Sequence, residues 1–171
     1  VLQQPSDEKA AELWTVIIEE IARLNRVVES FLDYARPSTR RQRLADPGKF
    51  IKTCAAAVAR GLQRPDVKLH LDAEPELPEL EIDAAQLERV IANVVQNAYQ
   101  ALDGPGNVRI AIRSEPAADA RDAWIEINVS DDGPGMDEAT LDRAFVPFFT
   151  TREDGTGLGL ALCERVLRAQ G

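Results

Sequence analysis

Between positions 14 and 35 the apolar residues Trp14, Ile17, Ile21, Leu24, Val28, Phe31 and Ala35 return at steps of 3, 4, 3, 4, 3 and 4. That rhythm is the seam of a coiled coil or helix bundle, and it predicts one helix over residues 6–36. Ser6 suits the cap, Asp7 and Glu8 the first turn, and Pro37 the stop, while Glu19, Arg23, Arg26 and Glu29 form a solvated face. A lone helix cannot bury its own stripe, so this one requires partners. Beyond a basic stretch at 37–43 the pattern changes. It predicts a short strand near 41–44, a helix over 47–61, a strand over 67–71 and a Pro/Glu-rich loop over 74–79. Leu87, Val90, Ile91, Val94, Val95, Ala98 and Leu102 then show helical spacing within 83–102, with Asp83 as the cap and Asp103-Gly104-Pro105-Gly106 as the closing turn. Residues 108–112 and 124–129 alternate as strands, 138–144 reads as a short helix, and a last helix runs from 157, anchored by Leu160, Leu162, Val166 and Leu167.

Composition narrows the function classes. With 171 residues, 44% of them hydrophobic, the chain can bury one core and carry an appended element. A net charge of −9, from 20 basic and 29 acidic residues, opposes a nucleic-acid surface, which needs clustered cations. Cys54 and Cys163 are isolated on apolar helix faces and are expected as reduced thiols, which fits a cytoplasmic location. No apolar run reaches the roughly 18 residues of a membrane span, so no membrane contact is expected of this segment; any anchor of a parent protein would lie elsewhere. The Asn128-Val129-Ser130 sequon sits in a strand pattern and is a chance match. His70, the only histidine, falls in the alternating stretch Val67-Lys68-Leu69-His70-Leu71 and is expected as an exposed or half-buried strand residue.

Candidate chemistry gathers in the second half. Asn93 and Asn97 stand four apart, so they share one helix face, where their carboxamide oxygens are neutral hard ligands; taken alone they are two exposed amides. Asp131 closes a strand, and Asp132-Gly133-Pro134-Gly135 turns the backbone sharply, as many ordinary Asp-Gly turns do. Gly155-Thr156-Gly157-Leu158-Gly159-Leu160 opens a helix after a polar loop, unlike a dinucleotide fingerprint, which follows a buried strand. Glycines there expose N–H groups and a positive dipole end to anions. Between the last two segments lies Phe145-Val146-Pro147-Phe148-Phe149-Thr150-Thr151.

In this order the four segments resemble the N, G1, F and G2 boxes of the ATP-binding domain of sensor histidine kinases, in a flavour similar to the nitrogen-regulator type. The resemblance covers almost the whole chain. It implies an α+β fold, a two-layer α/β sandwich with a mixed sheet of the Bergerat or GHKL kind, preceded by a dimerisation helix of a four-helix bundle. Residues 1–36 would be the second helix of the dimerisation hairpin, 37–46 a linker, and 47–171 the catalytic domain. The implied cofactors are ATP and Mg²⁺. Asn97 would ligate the metal and Asn93 support the phosphate side; Asp131, rather than Asp132, would accept the adenine amine beside Gly133 and Gly135. Thr150, Thr151, Arg152, Gly155, Thr156, Gly157, Leu158 and Gly159 would meet the phosphates, with Arg152 standing where the family often has Lys and joining Asn93 and Asn97 in catalysis. Residues 137–154 would be a mobile lid, with Phe145, Phe148 and Phe149 as its latch, although plain core packing fits each of them equally.

The implied activity is transfer of the γ-phosphoryl group to a histidine and from there to a response-regulator aspartate, in a homodimer formed through the N-terminal helix. Related ATPases place a water-activating Glu at the position of Asn93, which cannot accept that proton. The family's acceptor motif is missing here, so the acceptor is expected upstream. Relatives continue into one or two closing strands; the chain is read as a fragment whose sheet would show a raw edge or swap, inactive alone in autophosphorylation. Two alternatives stay open: a non-catalytic nucleotide-binding or dimerisation scaffold, and an ATPase or serine kinase of the same fold, against which the bundle helix and Asn93 both weigh.

Overall fold

The computed structural model describes residues 7–35, 41–116, 123–152 and 155–170. Its elements, in chain order, are α1 (Asp7–Ala35), β1 (Gln42–Leu44), α2 (Pro47–Gly61), β2 (Val67–Ala73), β3 (Leu80–Ile82), α3 (Ala84–Gln100), β4 (Gly106–Pro116), β5 (Ala123–Asp131), α4 (Glu138–Leu141) and α5 (Gly159–Gln170). The expected cap Ser6 and the helix stop at Pro37 lie outside the described residues, as do Glu153 and Asp154 of the expected lid.

β4 is the centre of a three-stranded mixed sheet, parallel to β2 and antiparallel to β5. Alternation along β4 turns Val108, Ile110 and Ile112 to one side, where they are wholly buried under α2 and α3. The other side stays open and carries polar residues, including His70, an Arg113–Asp72 ion pair and an Arg109–Asp132 pair at 2.8 Å. β1 and β3 form a separate antiparallel pair with Gln42 opposite Ile82. The sequence pattern does not predict β3: Glu79-Leu80-Glu81-Ile82 does alternate, but so short a run beside a Pro/Glu-rich loop does not mark a strand.

Helix boundaries follow local chemistry. Pro47 starts α2 with its fixed φ, and Asp46 accepts the Lys49 N–H at 2.8 Å. Asp83 caps α3 as expected, accepting from the N–H groups of Ala85 and Gln86 at 3.1 and 3.2 Å. α4 is shorter than expected, since after Asp142 the bonds tighten to Arg143 N–H on Thr140 O and Ala144 N–H on Leu141 O. α5 begins at Gly159 rather than 157 because Gly157 sits at φ +65°, outside helical space.

α3 is the organising helix. Leu87, Ile91, Val95, Ala98 and Tyr99 enter the main core with Ile51 and Ala55 of α2, while Val90 joins Leu162, Cys163 and Val166 of α5 in a second cluster. Burial pushes the Cys163 thiol up to about 12, so it remains a protonated packing group. Leu167, expected as an anchor, is exposed: one residue past Val166 it has turned about 100° off the buried stripe. α1 keeps its seam in solvent, with Trp14, Ile17, Ile21, Leu24, Val28 and Phe31 all about half exposed or more. Among the described residues no helix is long and apolar enough to cross a membrane.

Candidate functional site

Two connections, β5–α4 and α4–α5, meet one side of α3 at three points along about 12 Å of its length. At its middle, a Cβ placed on Gly159 would stand 2.9 Å from Asn93 Oδ1, so a side chain there would have to displace that amide. At its C-terminus, Arg152 Nη1 donates to Gln100 O at 3.0 Å, satisfying a carbonyl left without a helical partner. One residue further, a Cβ on Gly133 would meet Ala101 O at 2.9 Å. Asn97 lies between these contacts in sequence; it is exposed and its carboxamide has no partner among the described residues. Asn93 is different from the expected open amide. It is half-buried at the α3–α5 junction, where its Nδ2 donates to Arg89 O at 2.9 Å.

The end of β5 separates two neighbouring carboxylates. Asp131 pairs across the ladder with Val108, whose side chain points to the helices, so the Asp131 side chain starts from the helix side of the sheet. Asp132, one residue on, starts from the open side. There Asp132 Oδ2 accepts from Asn107 N at 3.0 Å and Asn107 Nδ2 at 2.6 Å, and Oδ1 accepts from Arg109 Nη1 at 2.8 Å. The amide of Asn107, then the Arg109 guanidinium, hold the Asp132 carboxyl below its ordinary 3.8. The Asp131 carboxylate has one backbone partner, the Gly133 N–H at 2.9 Å; a Cβ at 133 would lie 2.6 Å from it. Gly135 completes the turn at φ +74°.

The segment leading into α5 is pinned to the Phe148–Phe149 stretch. Phe148 N–H donates to Gly157 O at 2.9 Å, and a Cβ on Gly157 would fall 2.4 Å from the Phe148 carbonyl carbon. Phe148 itself holds φ +68°, an uncommon state for a bulky residue. Thr150 Oγ1 accepts from Arg152 N at 3.1 Å, and Thr156 Oγ1 accepts from Leu158 N at 3.4 Å. Thr151 is exposed. Phe145 and Phe148 are exposed, and Phe149 carries the Arg143 guanidinium 4.1 Å from its ring centroid, so these aromatics stand outside the buried core.

This geometry has a match among known proteins. Residues 82–171, more than half of the chain, fit the family model described as histidine kinase-, DNA gyrase B- and HSP90-like ATPase. The chain belongs to that ATPase family. It is 31% identical over 167 residues to the sensor histidine kinase ZraS of Klebsiella oxytoca, matching 98% of this chain and 35% of that protein. It is 34% identical over 169 residues to the sensory histidine kinase/phosphatase NtrB of Escherichia coli O157:H7, covering 94% of this chain and 47% of that one. The chain therefore spans about a third to a half of the length of these relatives. Its fold is similar to that of histidine kinase ThkA in complex with response regulator protein TrrA, with a TM-score of 0.69 at 22% identity, over 98% of this chain and 46% of that one.

Within this ATPase-family fold two of the expected site residues are placed differently from their simplest reading. Leu158 is 1% exposed, so its side chain anchors the loop and only its backbone is left to face a ligand. Asn93 is wedged at a helix junction rather than open to the cleft. Arg152 rests on the end of α3. His70 lies exposed on β2, its Nε2 2.9 Å from Asn107 Oδ1. Asn107 and Arg109 were not singled out from sequence; the only signal was their alternation onto the open side of β4.

Proposed function

We propose that this chain binds Mg-ATP as the catalytic part of a sensor histidine kinase, delivering the γ-phosphoryl group to a histidine that another segment of the sensor supplies. The observation that carries the reading is the convergence on α3, where Asn97 stands free between the Asp131 turn and the glycine loop of α5. Asp131 would accept the adenine amine, Asn97 would ligate Mg²⁺, and the N–H groups opening α5 would face phosphate oxygens. The donor set suits that cofactor: an exposed carboxamide at Asn97, a carboxylate at Asp131 with one backbone partner, and the glycine-rich start of α5. Bound Mg-ATP supplies the phosphoryl group; the residues contribute positioning and charge neutralisation. Asn93 offers no base for water, which favours transfer to histidine over hydrolysis. His70, on β2 and held against Asn107, is a poor acceptor.

Residues 1–36 would dimerise through the exposed seam of α1, 37–46 would link, and 47–171 would bind nucleotide, with a response-regulator receiver domain as the downstream partner. ZraS and NtrB are named as sensor kinases, and ThkA is seen with a response regulator, which supports this assignment. The test supplies labelled Mg-ATP and a histidine-bearing dimerisation hairpin in trans. Base-stable, acid-labile label on the hairpin is expected, together with a shifted Mg²⁺ requirement in Asn97→Asp. Steady phosphate release without any acceptor would instead establish an ATPase.

A further inference from the structure

We infer that Asp132, gripped by Asn107 and Arg109, is a positioning residue that sets the base selectivity of the site. The inference rests on the reading of Asp131 as the adenine acceptor. Asp132 receives three hydrogen bonds from β4, at 3.0, 2.6 and 2.8 Å, and its own N–H donates to Asn107 O at 3.2 Å. The last ladder position of β5 is thereby extended by one residue beyond Asp131. Behind the grip, His70 Nε2 lies 2.9 Å from Asn107 Oδ1, which leaves the Asn107 NH₂ facing Asp132. The bracket thus spans all three strands of the sheet.

Its effect reaches Asp131 through the backbone. Among the described residues the Asp131 carboxylate accepts only from the Gly133 N–H, and Gly133 lies so close to the end of α3 that a Cβ on it would stand 2.9 Å from Ala101 O. With Asp132 hydrogen-bonded to the sheet and Gly133 packed close against the end of α3, the peptide planes on both sides of Asp132 have little freedom. A carboxylate on so short a side chain then points along one direction. Releasing Asp132 frees the turn to rotate, and a hydrogen bond to an amine weakens steeply as its angle opens.

The experiment measures binding of the non-hydrolysable imido analogue of ATP and of purine-riboside triphosphate, which lacks the 6-amino group, to the full 171-residue chain. The wild type should prefer the adenine ligand by about 10- to 100-fold, the worth of one hydrogen bond to a charged group. Asp132→Ala and Asn107→Ala should each cut that preference several-fold by weakening the adenine ligand alone. Asp132→Asn, which keeps one acceptor oxygen, should retain most of it. Equal weakening of both ligands, or an unchanged preference in both alanine variants, would overturn the positioning role. Asp131→Ala, which leaves no acceptor, separates the two layers: if it leaves the preference intact, Asp131 does not read the base and the inference falls with that reading. If Asp131→Ala abolishes the preference while Asp132→Ala and Asn107→Ala keep it, only the inference falls.

Discussion

Two aspartates of identical chemistry stand side by side at the end of β5, and the pleat of the strand alone gives them different work. Asp131 starts on the side of buried Val108, while Asp132 starts on the open side within reach of Arg109 and Asn107. Asp132 offers a check that needs no ligand. Its folded pKa lies below the ordinary 3.8, mainly through Asn107 and then Arg109, while an unfolded chain titrates near about 3.9. A depressed carboxylate stabilises the fold fully above the unfolded value and loses that contribution as pH falls through the folded one. The melting temperature of the wild type should therefore exceed that of Asp132→Asn at pH 7, and the gap should shrink below about pH 4. A gap that stays constant down to pH 3 would show that the carboxylate charge is not what the bracket uses.

At the scale of elements, α1 and α3 show why period was such a strong guide and where it stopped. The 3-4 rhythm of α1 and the helical spacing of apolar residues in α3 are visible in sequence because each spans many turns. β3, at three residues, and the early end of α4 depend on pairing and on a switch of hydrogen-bond step that no pattern of apolar residues records. The site was legible as motifs but not as contacts. Asn93 reads as the twin of Asn97, yet Gly159 approaches one and leaves the other open. The seam of α1 gives the element-scale prediction. Ile21 is 54% exposed, so Ile21→Glu removes nothing from the core of one protomer but places a charge in the seam of a bundle. Ultracentrifugation should show a dimer for the wild type and at least about a 30-fold weaker association for the variant, the equivalent of roughly 2 kcal/mol, at unchanged melting of the α/β part. Equal association of both proteins would place the interface elsewhere.

For the whole molecule, function follows from how one helix gathers segments distant in sequence. The central strand β4 orients β5, the β5 turn rests on the end of α3, and the start of α5 closes against its middle. Arg41, just before β1, donates to Ala169 O and Gln170 O, so the chain leaving α1 also meets the far end of the helix that opens at the glycine loop. The central claim is that this arrangement holds a nucleotide through Asp131. Calorimetric titration of the chain with the imido analogue of ATP and Mg²⁺ tests it most directly, with Asp131→Asn alongside. Saturable binding in the range of about 1 μM to 1 mM, weakened at least about tenfold in the variant, is the expected result. No binding by the wild type, or the same affinity in both proteins, would contradict the account.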